Sequence, residues 1–116
     1  MSTPQPNEHG VYQPSESITM PNPRPGWKGM PLAEIDLVQL PSGWRSAIGA
    51  QTNNRGRAEP ITDRSVSHPT RDAAVAAAVA RLRAWLIDND DAQAALISRW
   101  LDTLTPDQLD LFGVAA

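Results

Sequence analysis

The chain has 116 residues, 20% of them charged, and a formal net charge of −3 at pH 7. This length supports one small domain, and because there is no cysteine, disulfides, thiolate metal ligands and cysteine nucleophiles are excluded. No stretch approaches the ~20 apolar residues of a transmembrane helix, and the first residues lack the apolar core of a secretion signal. We therefore expect a cytoplasmic protein that does not enter a membrane.

Residues 1–31 are expected to form a disordered, proline-rich tail. Seven of the eleven prolines lie in this segment, and its large apolar side chains are few. Such a composition buries too little surface to offset the entropy that is lost when a chain becomes ordered. Trp27 is the one side chain of this segment that we expect to anchor the tail on the body.

The next stretches alternate between apolar and polar residues, as strands do. Residues 34–40 form the first predicted strand, residues 44–50 the second and residues 57–62 a shorter third. Turn-forming residues follow the first two strands, namely Pro41, Ser42 and Gly43, and then Asn53, Asn54, Arg55 and Gly56. The pattern predicts an antiparallel meander with one buried face. The second strand contributes to that face Trp44, Ser46, Ile48 and Ala50. Pro60 cannot donate a ladder hydrogen bond, so it places the third strand at the sheet edge.

Two helices are predicted after the strands. Thr70 is a good N-cap, Asp72 lies in the first turn, and the helix runs to about Ile87. Apolar residues recur along it at helical spacing: Val75, Ala78, Val79, Leu82, Trp85 and Leu86. Asp90 and Gln93 can cap a second helix. Its predicted buried stripe is Leu96, Ile97, Trp100, Leu101 and Leu104.

These elements predict an α+β domain at residues 32–104, in which a three-stranded antiparallel sheet is packed by two α-helices. The disordered tail precedes the domain, and residues 105–116 follow it as a short functional segment. We expect Trp44, Trp85 and Trp100 to be core residues rather than platforms on which bases stack.

The segment after the second predicted helix carries a recognisable peptide. Its residues are Gln108, Leu109, Asp110, Leu111 and Phe112. This pentapeptide resembles the motif by which polymerases, mismatch-repair proteins and replication regulators dock on the bacterial sliding clamp, the beta subunit of DNA polymerase III. The resemblance implies that Leu111 and Phe112 fill an apolar pocket of the clamp, that Leu109 adds a contact, and that the Gln108 amide forms hydrogen bonds at the pocket rim.

The same residues permit a structural interpretation. Thr105, Pro106 and Gln108 have the spacing of a capping box with proline at the first helical position, and Gly113 is a plausible C-cap. Residues 106–112 would then form a short terminal helix packed on the body. Because a two-turn helix is marginally stable, such a helix could also unfold to bind a partner.

Charge is distributed unevenly along the chain. Residues 42–83 hold seven arginines against three acidic residues, whereas residues 84–116 hold one arginine against six aspartates. Such an asymmetry suggests two surfaces with different partners. The residues that we single out for contact with DNA or RNA lie around the predicted hairpin and the start of the first helix: Arg45, Asn54, Arg55, Arg57, Arg64 and Arg71. An ordinary solvated turn is the alternative interpretation. The order of strands and helix loosely resembles double-stranded-RNA-binding-like folds and small modules of phage or plasmid DNA-processing proteins.

Residues suited to catalysis are few, so we do not expect an enzyme. Of the two histidines, His9 lies in the predicted tail and His68 beside a helix start, where a surface or capping role is the simpler interpretation. No cluster has metal-ligand spacing and no phosphate loop or dinucleotide fingerprint is present, so neither a metal nor another cofactor is expected.

The sequence thus favours a non-enzymatic accessory or regulatory protein of DNA replication or repair that docks on the sliding clamp, recruiting its domain there or competing for the pocket. A mobile-element origin would suit such a competitor. The alternative is a small nucleic-acid-binding module with an arginine-rich hairpin. A third interpretation is an interaction protein that acts through its acidic second half, for which an exposed apolar patch on the second helix would be the marker. The oligomeric state is left open.

Overall fold

The computed structural model describes residues 3–22, 31–52, 56–87 and 92–104. In these ranges the chain forms four strands and two helices. The elements are β1 (Glu16–Met20), β2 (Ala33–Leu40), β3 (Gly43–Gln51), β4 (Gly56–Ala58), α1 (Arg71–Leu86) and α2 (Ala92–Asp102). All neighbouring strands are antiparallel, in the order β1-β2-β3-β4, so the predicted α+β architecture is confirmed.

The sheet has four strands where we expected three, and the additional strand corrects the prediction of a disordered tail over its length. β1 lies inside the segment 1–31 and pairs with β2, with Ile18 opposite Ile35 and Met20 opposite Ala33. The side chains of Ile18 and Met20 are half-buried against the core between sheet and helices. Composition concealed this strand because a five-residue alternating stretch lies among prolines. Trp27 lies outside the described residues.

β2 and β3 form a tight hairpin, as the turn residues predict. Leu40 pairs with Gly43, so Pro41 and Ser42 are the whole connection. Gly43 has φ +131°, and a Cβ at this position would come within 2.5 Å of the His68 carbonyl oxygen. Glycine is therefore required here both for its backbone conformation and for the close approach of residues 67–68.

β4 is shorter than the predicted strand 57–62. The ladder continues for one residue beyond Ala58, because the Glu59 N–H donates to the Ile48 carbonyl over 2.9 Å. Pro60 then has no N–H to offer, and Ile61 turns towards the opposite face of the sheet, where its side chain is 2% exposed. The chain therefore leaves the sheet at Pro60 rather than at Thr62.

α1 begins and ends close to the predicted positions. The Thr70 hydroxyl accepts a hydrogen bond from the Ala73 N–H over 3.1 Å, which confirms the N-cap and stabilises the helix by about 1 kcal/mol. The helix lies on β3 and β2. Its buried face consists of Ala74, Val75, Ala78, Val79, Leu82 and Leu86. Four of these six side chains are alanine or valine, which are smaller than leucine, so the helix axis can approach the sheet closely.

α2 packs on α1 and completes the core between the helices and the sheet. It buries Ala94, Ile97 and Leu101, while Leu96, Trp100 and Leu104 are partly buried against the same core. Full burial of Ile97 and Leu101 is worth roughly 1.5–3 kcal/mol for each side chain. The predicted cap residue Asp90 lies outside the described residues.

The sheet is buried on both faces, whereas we expected one buried face. Along β2 the buried positions change phase: Ala33, Ile35 and Leu37 face the helices, but Val38 and Leu40 face the other side, which we call the outer face. There Tyr12 and Ile61 cover them, together with Ala47. The Tyr12 N–H donates to the Ile61 carbonyl over 2.8 Å, so the N-terminal segment is joined to the body by backbone as well as by packing.

Neither helix of the described ranges is both long and apolar enough to cross a membrane.

Deletion of residues 1–20 should lower the midpoint of thermal unfolding by many degrees or prevent folding. The deletion removes β1 and the Tyr12 side chain, and so exposes one edge of β2 and half of the outer face. Circular dichroism on heating measures the effect. Deletion of residues 1–5 alone is the control, since it leaves the pairing of Pro6 with Tyr12 in place. Equal midpoints for both deletions would contradict this assignment.

Candidate functional site

The edge of β3 is interrupted, and a cleft lies at the interruption. Glu59 continues the ladder opposite Ile48, and His68 resumes it opposite Trp44 through backbone hydrogen bonds of 2.7 and 2.8 Å. Between them the chain leaves the sheet and returns. The open space beside this detour has a volume of ≈ 340 Å³. The lining residues are Ser46, Glu59, Pro60, Thr62, Arg64, Ser65, Val66 and Arg81, and we call this space the Glu59 cleft.

Arg81 of α1 occupies the position of the missing strand. Its Nη2 donates to the Ser46 carbonyl over 3.2 Å and to the Ser46 hydroxyl over 3.1 Å. The same nitrogen lies 3.4 Å from Oε1 of Glu59. A helix side chain thus replaces a strand at Ser46, whose own side chain is 5% exposed. One guanidinium links α1, β3 and the end of β4.

The Glu59 carboxylate is surrounded by donors. Oε1 also accepts the Ile48 N–H over 3.2 Å, and Oε2 accepts Nε and Nη2 of Arg57 over 3.2 and 2.8 Å. Burial acts to raise the pKa of Glu59, but the hydrogen bond from Arg57, the charge of Arg81, the Ile48 N–H and the charge of Arg57 together lower it below 4.5. Glu59 is therefore ionised at neutral pH, and its charge is already compensated by two arginines.

The opposite wall of the cleft is a hydroxyl-rich turn. The Ser65 N–H donates to the Thr62 carbonyl over 3.0 Å, which closes the turn. The Thr62 N–H donates to the Ser65 hydroxyl over 3.0 Å, and the Arg64 N–H donates to the Thr62 hydroxyl over 3.1 Å. Both hydroxyls are thus fixed in place as acceptors.

Arg45 supports this turn from the outer face. Its Nη1 donates to the Thr62 carbonyl over 2.8 Å and lies 3.5 Å from Oδ1 of Asp63. The Tyr12 hydroxyl donates to the same Asp63 oxygen over 2.7 Å, and this bond, with burial and the Asp63 charge, raises the pKa of Tyr12. The side chain of Arg45 is 13% exposed, so it acts as an internal support rather than as a surface arginine.

The arginines singled out from the sequence are placed on different parts of the domain. Arg57 and Arg64 lie on the β4 side, where Arg57 binds Glu59 and Arg64 is exposed at the cleft. Arg45 lies behind the turn, and Arg71 lies at the opposite edge, where its guanidinium binds both carboxylate oxygens of Glu16. This pair lowers the pKa of Glu16. Asn54 and Arg55 lie outside the described residues.

Several residues of the cleft were missed from the sequence, above all Arg81 and Glu59. A signal for Arg81 did exist, since it lies three residues after the buried Ala78 and one before the buried Leu82, at the flank of the apolar stripe. A charged residue at such a position has its stem on the core and its head free to reach a partner at the rim. Its partners Ser46 and Glu59 come from other elements, so their meeting could not be inferred from spacing.

Negative charge gathers at the other end of the outer face. Asp36 accepts a hydrogen bond from the Ser17 hydroxyl over 2.7 Å, and Glu34 lies two residues before it on β2. Burial, then the charge of Asp36 and a hydrogen bond with it, raise the pKa of Glu34. The domain therefore carries carboxylates on β2 and guanidinium groups at the β4 edge.

His68 pairs with Trp44 at the sheet edge through its backbone. The large apolar side chains that are exposed in the described ranges are Val66 and Ile87, neither of which lies in α2. Those ranges contain no group of three or more potential metal ligands.

α2 ends at Asp102, and Thr103 and Leu104 close its last turn by bonding to Trp100 and Leu101. The peptide of residues 108–112 lies outside the described residues.

No family model, curated protein or solved structure matches this chain.

The Glu59→Gln variant should lose about 1–2 kcal/mol of unfolding free energy at pH 7, because an amide replaces the charged acceptor of the hydrogen bonds. The loss is no larger because the two arginines that bind Glu59 are partly exposed to solvent. The pKa of Glu59 is lower in the folded state than in the unfolded chain. Its contribution is therefore complete above the unfolded-state pKa near 4.5 and is lost as the pH falls through the folded-state pKa.

Urea unfolding at pH 7 and at stepwise lower pH tests this expectation. The difference between the original chain and Glu59→Gln should shrink as the pH falls. Glu8→Gln is the matched control, since the Glu8 side chain is 86% exposed. A difference that is constant with pH would show that the Glu59 charge does not stabilise the fold.

Proposed function

We propose that this protein is a non-enzymatic accessory or regulatory protein of bacterial DNA replication or repair, which acts in the cytoplasm by docking on the sliding clamp. The observation that carries the proposal is the peptide Gln108, Leu109, Asp110, Leu111 and Phe112, with its resemblance to the clamp-binding motif. Its chemistry suits an apolar pocket with a polar rim, since two large apolar side chains follow an amide that both donates and accepts.

The position at which α2, the last described helix, ends supports this proposal. α2 stops at Asp102, and the turn at residues 103–104 closes it. The core between sheet and helices takes its α2 contribution from Ala94, Ile97 and Leu101, and Leu104 packs at its margin. Three residues, 105–107, therefore lie between the turn at Leu104 and Gln108, and the four steps from Leu104 to Gln108 would span up to ~14 Å if extended.

The mechanism is occupancy of one pocket. A protein docked in this way either brings its domain to DNA at the clamp or keeps polymerase from the same pocket. Burial of Leu111 and Phe112 would supply roughly 3–6 kcal/mol before the cost of ordering the peptide. Affinity in the micromolar range is therefore the expectation.

The double variant Leu111→Ala, Phe112→Ala should lose clamp binding by at least about a hundredfold while leaving the midpoint of thermal unfolding unchanged. Titration of the 116-residue chain against a purified bacterial sliding clamp measures the affinity. A synthetic peptide of residues 105–116 should compete for the same pocket.

The matched control is Asp107→Ala, Val114→Ala, which changes two flanking positions and should bind normally. If the chain does not bind the clamp, the docking proposal fails. If the Leu111→Ala, Phe112→Ala variant also unfolds several degrees lower than the original chain, residues 106–112 are a packed helix.

A second candidate function, contact with DNA or RNA, is favoured by the arginines at the β4 edge. Arg64 and Arg81 line one cleft, Arg57 binds its Glu59, and this one carboxylate compensates only part of their charge. Guanidinium groups that gather at one sheet edge suit the phosphates of a nucleic acid.

The Arg55→Ala, Arg57→Ala variant should weaken nucleic-acid binding several-fold without changing clamp binding. It should also reduce the steepness with which affinity falls as salt rises, because fewer counterions are released. Fluorescence anisotropy with labelled duplex and single-stranded oligonucleotides over a salt series measures both. Unchanged affinity and slope would remove these two residues from any nucleic-acid surface.

A further inference from the structure

The hydroxyl groups of the Glu59 cleft share one unusual property. Ser46, Thr62 and Ser65 each accept a hydrogen bond at their hydroxyl oxygen, from Arg81, Arg64 and Thr62 respectively. Among the described residues, none of these three hydroxyls donates a hydrogen bond. A hydroxyl that already accepts still has its proton to offer. Among the described residues, the three hydroxyl protons of the cleft therefore have no assigned acceptor.

The guanidinium groups of the cleft also have nitrogens without an acceptor among the described residues. Arg81 makes its three contacts through Nη2 alone, which leaves Nη1 and Nε without a partner in the described part of the chain. Arg64 bonds through its backbone N–H, and its exposed side chain forms no ion pair with any described residue. Both side chains line the cleft. Two unsaturated guanidinium groups therefore face the same space as the three hydroxyls.

The charge balance also favours an anion. Two guanidinium groups line the cleft, those of Arg64 and Arg81, and Glu59 is the carboxylate of the same lining. Arg57 binds Glu59 over 2.8 Å, so three guanidinium groups are opposed there by one carboxylate. An excess of two positive charges remains. An anion that enters meets a carboxylate whose repulsion is already screened by direct ion pairs.

We propose that the Glu59 cleft is a phosphate-binding site, in which Arg64 and Arg81 hold the phosphoryl oxygens and the Ser46, Thr62 and Ser65 hydroxyls complete their hydrogen bonds. A tetrahedral phosphoryl group satisfies such a set better than a carboxylate does, because it offers more acceptor oxygens and matches the guanidinium fork. The cleft is open to solvent and larger than a phosphoryl group alone, and the apolar Pro60 and Val66 are also part of its lining. A phosphate ester is therefore the ligand class that fits it.

The proposed phosphate site does not depend on clamp docking. It rests on the second candidate function only if the phosphate belongs to a nucleic acid. The phosphoryl group can belong to a small phosphate monoester or to the backbone of a nucleic acid. Both sources share the chemistry that Arg64 and Arg81 recognise. The experiment separates them.

Amide NMR spectra of the 116-residue chain, titrated with inorganic phosphate at constant ionic strength, test the site. Saturable shifts should be confined to the cleft, at Ser46, Glu59, Arg81 and the turn of residues 62–66. Arg64→Ala should weaken the affinity about tenfold or more, since a charge-assisted hydrogen-bonding group is removed from an exposed position. Arg81→Lys should weaken it less, because the charge is kept and the fork is lost.

Arg99→Ala is the matched control, an exposed arginine of α2 outside the cleft, and should change nothing. Absence of saturable shifts, or equal affinity in Arg64→Ala, would overturn the proposal. A second series uses a short oligonucleotide with and without a 5′ phosphate. Binding that requires the 5′ phosphate identifies a monoester ligand, and equal binding of both identifies the phosphodiester backbone. Phosphate binding without any oligonucleotide binding would keep the site and remove the nucleic-acid function.

Discussion

The structure depends on the fact that β2 is buried on both of its faces. Ala33, Ile35 and Leu37 need cover from one side, and Val38 and Leu40 need it from the other. The helices supply the first cover. The second comes from two segments without regular structure, which bring Tyr12 and Ile61 onto the outer face. The apolar side chains of β2 are all removed from water only when the helices and these two segments are both in place.

The position of the cleft follows from this requirement. Ile61 reaches the outer face only if the chain leaves the sheet at Pro60, and β3 then has no strand beside Ser46. A buried carbonyl without a partner is costly. Arg81 supplies the partner, and Glu59 supplies an acceptor for the Ile48 N–H. Side chains thus take the place of backbone, and the guanidinium groups and hydroxyls that remain line the space that the strand would have filled.

Some of these features could be predicted from the sequence and others could not. Thr70 and the apolar spacing after it determine α1 locally, and Gly43 marks its turn, so both were found correctly. β1 was missed because its alternation is short and prolines surround it, while its stability comes from pairing with β2. The adjacent apolar pair Leu37 and Val38 is the only local sign that burial changes face. The Glu59 cleft joins residues 46, 59 and 81 from three elements, and no spacing rule connects them.

On the proposed function, the folded body carries a basic cleft, and the peptide of residues 108–112 is the part that would contact the clamp. Hydrogen exchange of the 116-residue chain, with and without a saturating sliding clamp, tests this division most directly, because it reports protection along the whole backbone. The account predicts that the clamp slows exchange in peptides that span residues 105–116 and leaves those of residues 44–48 and 56–66 unchanged. Protection in the body instead, or no protection anywhere, would contradict it.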